Sequence, residues 1–256
     1  MTFTKTYSGE EPMRVNKWLG QSGVCSRREA EGLIEQGLVS IDGEVLISPG
    51  HKILPGQTLT LNQAGSAALE SKITAVLNKP VGYVSAQPEE SQIPAARLIH
   101  KKNLHGAAQH IPGTRTSLAP LGRLDMDSRG LLLLSEDGVL AKAIIGPTSQ
   151  VEKEYVVNVR GEISSETLSL LRFGLELDGR QLKRAKVTRE GKGKLRFVLR
   201  EGRNRQIRRM CELTGLNVID LLRVRIGSLE LGNLPEGMWR PLNSDERESL
   251  ISLSAD

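Results

Sequence analysis

Residues 62–72 (NQAGSAALESK) lose both the hydrophobic periodicity and the large apolar side chains that flank them on either side. A stretch of this kind reads as a linker, so the chain is expected to fold as two units rather than around one core. The total of 256 residues by itself suits one large domain or a small one plus a medium one. Ahead of the break, residues 13–61 carry the signals of a compact module. Ser26-Arg27-Arg28-Glu29 matches a capping box, Ala30, Leu33 and Ile34 form a helical apolar stripe, and Gly37 is placed to stop the helix. Val39 and Ile41 alternate into Asp42-Gly43, a hairpin turn signal, and TLTL at 58–61 reads as a short strand.

Beyond the break, residues 73–245 are strand-rich: ITAVLNKPVGYVSA, GLLLLSEDG, EKEYVVNVRG and KLRFVLREG. Helices are expected at about 138–145, 164–173 and 204–214. Strands and helices that mix without a regular βαβ rhythm predict an α+β fold, with a mainly antiparallel mixed sheet flanked by helices. Residues 86–118 are long, polar and turn-rich, and are expected to be a mobile loop or an insertion. Aromatic residues make up only 3% of the chain, so both cores must be built from Leu, Val, Ile and Ala.

Several function classes recede on composition. No apolar run approaches the roughly 20 residues of a spanning helix, and MTFTKTYSGEEP has no apolar signal region. Cys25 and Cys211 stand apart without a CxxC pattern, which fits a reducing, cytoplasmic setting. The histidines His51, His100, His105 and His110 show no metal-ligand spacing, so no metal site is expected. Formal charge is +5 with a sequence pI near 9.3, and the charge is clustered. Residues 14–28 carry Arg14, Lys17, Arg27 and Arg28 with no acid among them, and REGRNRQIRR at 200–209 holds five arginines and one glutamate. Two such clusters far apart in sequence suggest two contacts on one long anion.

Four segments hold candidate chemistry. In APLGRLDMDSRGLLLLSEDG, Asp125 and Asp127 lie between Arg123 and Arg129 ahead of an apolar strand. The plain reading is a turn whose aspartates cap backbone amides. A Mg²⁺ site is disfavoured by the flanking guanidiniums, which suit an ionised, nucleophilic carboxylate instead. In EGRNRQIRRMCELTG, Ile207, Met210 and Cys211 form a buried stripe, while Arg205, Arg208 and Arg209 repeat the spacing one face over as a cationic edge. A solvated helix face is the plain alternative, although solvated faces usually mix signs. Tyr155 in EKEYVVNV is either a half-buried strand residue or a ring that stacks on a base. LNKPVGYV, a strand, a turn and a strand, carries little weight alone.

Together these runs resemble the RsuA-type family of ribosomal RNA pseudouridine synthases. GRLDMDSRGLLLLSEDG, EKEY and EGRNRQIRRMCELTG carry the likeness, and LNKPVGYVS resembles the family's opening strand. MRVNKWLGQSGVCSRREAEGLIEQGLVSIDG resembles the small RNA-binding domain first seen in ribosomal protein S-four. The likeness spans about residues 13 to 243, and NRQIRRMCE with EKEY is nearest the large-subunit synthase F type. The resemblance implies Asp125 as the catalytic carboxylate, Tyr155 against the target base, and Arg208 as the basic partner of the aspartate. Arg123, Arg203, Arg205 and Arg209 would hold the flipped nucleotide and its neighbours, with Leu222 lining the base pocket. Arg14, Lys17, Ser26, Arg27, Arg28 and Gln36 would face RNA from the N-terminal module. The implied reaction needs no cofactor, and the implied partner is ribosomal RNA, in the large subunit (23S rRNA) or a precursor particle, with tRNA as an open second substrate and a monomeric enzyme. The segment between KPVG and GRLD is longer than the family pattern leads one to expect. The rival readings are a non-catalytic RNA-binding assembly or rescue factor and a Mg²⁺-dependent nuclease.

Overall fold

The backbone of residues 2–113 and 116–253 is described by a computed structural model, in which the chain divides into two units. The first comprises residues 1–73 together with 136–142. Helices Val15–Gln21 and Arg27–Glu35 pack together over an antiparallel sheet ordered Phe3–Thr6, Thr58–Leu61, Val39–Ile41, Glu44–Val45. The predicted capping box forms: Ser26 Oγ accepts from Glu29 N, and Glu29 reaches back to Ser26 N. The Asp42-Gly43 turn also forms, with positive φ at both residues (50° and 89°), the geometry that matches the twist of a two-residue hairpin. Trp18, Leu19, Leu33, Ile34, Ile53, Leu59 and Leu61 fill the core. Tyr7 meets Trp18 edge-on at 5.4 Å between ring centres.

Two expectations are corrected here. The strand Phe3–Thr6 extends the sheet ahead of residue 13. The stretch read as a linker is mostly a helix, Gln63–Glu70, capped by Asn62, whose side chain accepts from Gly65 N. Its small residues reflect close packing: a Cβ on Gly65 would stand 3.0 Å from Leu61 Cγ and 3.2 Å from Leu38 Cβ.

The second unit comprises residues 74–135 and 143–256. Its sheet runs Lys186–Gly191, Lys194–Leu199, Lys153–Arg160, Asn217–Ile226, Arg129–Ser135, Thr74–Lys79, Trp239–Pro241. Neighbours on this path are antiparallel except Arg129–Ser135 beside Asn217–Ile226, which is parallel. The fold is α+β with a mainly antiparallel sheet. Thr74–Lys79 is buried at every position and Arg129–Ser135 at all but its first, so these strands are covered on both faces. Helices Ser165–Arg172 and Gln206–Leu213 pack on the sheet, and Ile207, Met210 and Cys211 form the stripe predicted for the second of them. Cys25 and Cys211 are buried free thiols, both pushed up to about 12 chiefly by burial.

The segment 86–118, expected to be a mobile loop or an insertion, is anchored over residues 95–105; residues 114–115 lie outside the described set. Two short 3-10 turns, Ala95–Leu98 and Lys101–Asn103, bury Ala95, Leu98 and Ile99. The indole N–H of fully buried Trp239 donates to the His100 carbonyl (2.9 Å), and its own carbonyl accepts from His105 N (2.8 Å). Sequence periodicity misses such a segment because its order comes from tertiary contacts rather than from a repeating pattern. No helix among the described residues is long and apolar enough to cross a membrane.

Candidate active site

The loop 121–128 is built before its side chains act. Leu124 is clamped at both backbone atoms by one hydroxyl: buried Ser85 Oγ donates to Leu124 O (2.6 Å) and accepts from Leu124 N (2.8 Å). Gly82 N donates to Met126 O (2.8 Å), so the Pro-Gly turn of LNKPVGYV docks on the same loop. Ser128 N then closes a turn onto Asp125 O (3.1 Å). From behind, Arg223, only 2% exposed, donates to the carbonyls of Leu131 (2.7 Å), Gly122 (3.0 Å) and Arg123 (3.4 Å). A guanidinium has a planar fork suited to several acceptors at once, and burial makes each unmade bond costly.

This loop forms one wall of a cavity of about 720 Å³. Asp125, half buried, lines it with Arg123 and Leu124 from the loop, and Lys153 and Tyr155 from Lys153–Arg160. Leu199 from Lys194–Leu199 and Leu221 and Arg223 from Asn217–Ile226 also line it. Arg203, Arg205 and Arg208 approach from the start of the helix Gln206–Leu213. Strand alternation explains the set: Tyr155 lies opposite Phe197 and Arg223 in register, so these side chains share a face.

Two lysines, the fully buried Lys79 and the half-buried Lys153, carry amines lowered from their ordinary range. Lys79 is fully buried, donates to Pro80 O (2.8 Å), and is pushed down to about 8 by burial, against the opposing pull of Asp125 and Asp127. Lys153 donates to Ile144 O (2.9 Å) and is pushed down to about 8 by burial and by the charge of Arg223.

The structure divides the predicted arginines by task. Arg205 pairs with both carboxylate oxygens of Asp127 (2.9 and 3.1 Å) and stands 3.7 Å from Asp125 Oδ2. Arg208, expected beside Asp125, instead donates to the Asp127 carbonyl (2.7 Å) and Ser128 Oγ (3.3 Å). It stands 3.3 Å from Asp127 Oδ1, and its Nε is buried without a partner. Partial burial works to raise the Asp127 carboxyl, but hydrogen bonds from Arg205 and the charges of Arg208 and Arg205 outweigh it and hold the group below the usual range. The cause of the redistribution is local: Arg205 takes a left-handed backbone (φ 49°, ψ 32°) just before the helix, so it leaves the helical repeat that the spacing implied.

Arg209 turns away from the cavity into a two-pronged pair with Asp178 (2.7 and 3.0 Å). The Arg203 guanidinium lines the cavity but donates to the carbonyls of Leu177, Arg180 and Gln181. Arg123 is exposed on the cavity wall with no side-chain partner among the described residues. Leu222 is off by one position. Leu221 and Arg223 face the cavity, while Leu222 lies near Gly130, where an added Cβ would stand 2.7 Å from its Cδ1.

On the first unit, Arg14, Lys17, Arg27, Arg28 and Gln36 are exposed, as an interface requires, whereas Ser26 is engaged as a helix cap. Sequence reading missed Ser85, Lys79, Lys153 and Arg223. The only available signal was a charged residue at an inward position of an apolar strand in LLRVRIG. Among the described residues, no group of three or more His, Cys, Asp or Glu could hold a metal ion.

Comparison with known proteins was consistent across sequence and structure. A family model described as RNA pseudouridylate synthase matches residues 73–213, and one described as S4 domain matches residues 13–59. The chain is 36% identical over 247 residues to the dual-specificity RNA pseudouridine synthase RluF of Escherichia coli, covering 95% of this chain and 80% of that protein. It is 32% identical to an uncharacterized RNA pseudouridine synthase of Aquifex aeolicus, covering 94% of this chain and 97% of that one. A crystal structure of a pseudouridylate synthase superposes with a TM-score of 0.64 at 26% identity, covering 93% of this chain and 99% of the other.

Proposed function

The chain belongs to the RNA pseudouridylate synthase family, and we propose that it isomerises a specific uridine of large-subunit ribosomal RNA with Asp125 as the catalytic carboxylate. The observation that carries the assignment of Asp125 is its placement on the wall of a cavity shared with Tyr155 and six arginines, on a loop fixed by Ser85 and Arg223. In the reaction the bond from ribose C1′ to uracil N1 breaks, the base turns, and C1′ bonds to C5. The C5 proton is lost and N1 gains one, so atoms balance without an oxidant or a donated group.

A uridine stacked in a helix must leave the stack to enter such a cavity, at a cost of a few kcal/mol. Tyr155 offers a ring to the base, and Arg123, with no side-chain partner among the described residues, offers a guanidinium to the vacated position or a phosphate. Arg205 keeps Asp125 and Asp127 in a fixed relation, and Arg208 holds the turn between them by its backbone. The exposed cations of residues 14–28 add affinity by tethering, as a monomer acting in the cytoplasm on rRNA or a precursor particle.

The test is carbodiimide mapping of unmodified large-subunit rRNA after incubation with the protein in EDTA, beside Asp125→Asn. A single new reverse-transcription stop made by the unaltered protein alone is expected, with turnover reduced about 10⁴-fold in the variant and RNA affinity within twofold. Normal turnover in the variant would remove Asp125 from the chemistry. A stop found only on tRNA or small-subunit RNA would correct the substrate. Transfer RNA is the first of these to try, being the second substrate that the sequence leaves open.

A further inference from the structure

Between Glu90 and Asp125 the chain runs 34 residues without an acid. That stretch holds three of the four histidines, together with Arg97, Lys101, Lys102 and Arg123 among its described cations. Elsewhere in the second unit arginines are mostly paired: Arg129 with Asp220, Arg196 with Glu154, Arg209 with Asp178, Arg225 with Glu154 and Arg240 with Glu246. Arg97, His100, Lys101, Lys102 and His105 are all exposed, and none has a side-chain partner among the described residues.

Their backbone is nevertheless fixed. Ala95, Leu98 and Ile99 are buried beneath them, and Trp239 holds the chain at His100 and His105. Cations on a fixed backbone with no internal partner form a ready anion-binding face, because little order has to be gained on binding.

We propose that this platform, residues 97–105, is a second phosphate-binding face that grips the substrate RNA outside the modified nucleotide. The inference rests on the RNA substrate proposed above and adds a contact that the catalytic reading does not need. Position supports it. Leu104 bridges to Trp239, whose strand pairs with Thr74–Lys79, which pairs with Arg129–Ser135 immediately after the Asp125 loop. Three strand spacings are about 14 Å, roughly four nucleotide steps of 3.4 Å. The platform and the strand that follows the Asp125 loop thus lie within a few nucleotide steps of each other, and the proposal places the RNA flanking the modified uridine across that span.

Chemistry favours RNA over a protein partner. Protein interfaces need an apolar centre, and no large apolar side chain between residues 97 and 105 is exposed. A sugar–phosphate backbone needs only the cations.

The test uses the full chain with Arg97→Gln, Lys101→Gln and Lys102→Gln combined. Binding to an unmodified large-subunit rRNA transcript is followed against salt, and turnover by tritium release from 5-tritiated uridine. Removing three phosphate contacts should lower the slope of log affinity against log salt by about 2. KM should rise about tenfold with kcat unchanged. A control with Arg160→Gln, Lys192→Gln and Lys194→Gln removes equal charge at the opposite end of the sheet and should leave both values in place. An unchanged slope and KM in the first variant, or an equal loss in the control, overturns the proposal. A reduced slope alongside a wild-type protein inactive on every RNA would sink the catalytic reading and leave this one standing.

Discussion

Arg14, Lys17, Arg27 and Arg28 stand exposed on the first unit with no acid paired to them among the described residues, whereas Arg203, Arg205, Arg208 and Arg223 in the second are tied to carbonyls and carboxylates. The same residue type serves two physical ends. A solvated cation attracts phosphate over a Debye length and releases counterions on contact, so it contributes affinity that fades with salt. A cation locked onto a loop contributes little net attraction but fixes where the loop's carboxylate sits, which is the condition for catalysis by preorganised groups. Counting arginines in a sequence merges the two uses; only their partners separate them.

The largest expected effect comes from breaking a locked cation. Arg223→Met leaves three carbonyls without their donor, and should cost about 2–4 kcal/mol in urea unfolding. With the Asp125 loop loosened, kcat should fall about 10²-fold while KM moves less than threefold. Arg223→Lys should not restore kcat, since a point charge does not span three acceptors. An unaltered kcat in either variant would erase the distinction between the two kinds of cation.

Next in size is the converse case. Arg27→Gln with Arg28→Gln should raise KM about five- to tenfold and lower the salt slope by about 1.5, with kcat and stability unchanged. A fall in kcat would show that these side chains reach beyond affinity.

The smallest effect sharpens the comparison at a residue of intermediate character. Lys153 is lowered to about 8 by burial and by Arg223, so it is charged below that pH and neutral above it. Between pH 7 and 9 the wild-type KM for RNA should rise two- to threefold as this cavity charge is lost, whereas Lys153→Met should start at the raised value and stay flat. A rise of the same size in the variant would place the titration elsewhere.

Local signals were the legible ones. The capping box at Ser26–Glu29, the Asp42-Gly43 turn and the helices Gly138–Ile145, Ser165–Arg172 and Gln206–Leu213 were visible because each is specified by neighbours in sequence. The Asp125 loop was recognisable from its motif. What holds that loop was not: Ser85 lies 39 residues from Leu124, and Arg223 lies 100 residues from Arg123. Contacts at such separations leave no periodic trace. The helix Gln63–Glu70 was hidden by the small residues that let it pack closely, although Asn62 was a usable start signal. Leu222 was misplaced because strand faces alternate, so an error of a single residue reverses the side on which a group stands.

The two cysteines carry a practical consequence. Both thiols are buried and held far from the thiolate form, leaving the native surface unreactive toward maleimides and other alkylating probes. A cysteine introduced at an exposed position such as Glu10 or Gln109 would be modified selectively without first removing the natural pair. Distances between two labels, one on each unit, could then be followed by energy transfer while the enzyme meets its RNA.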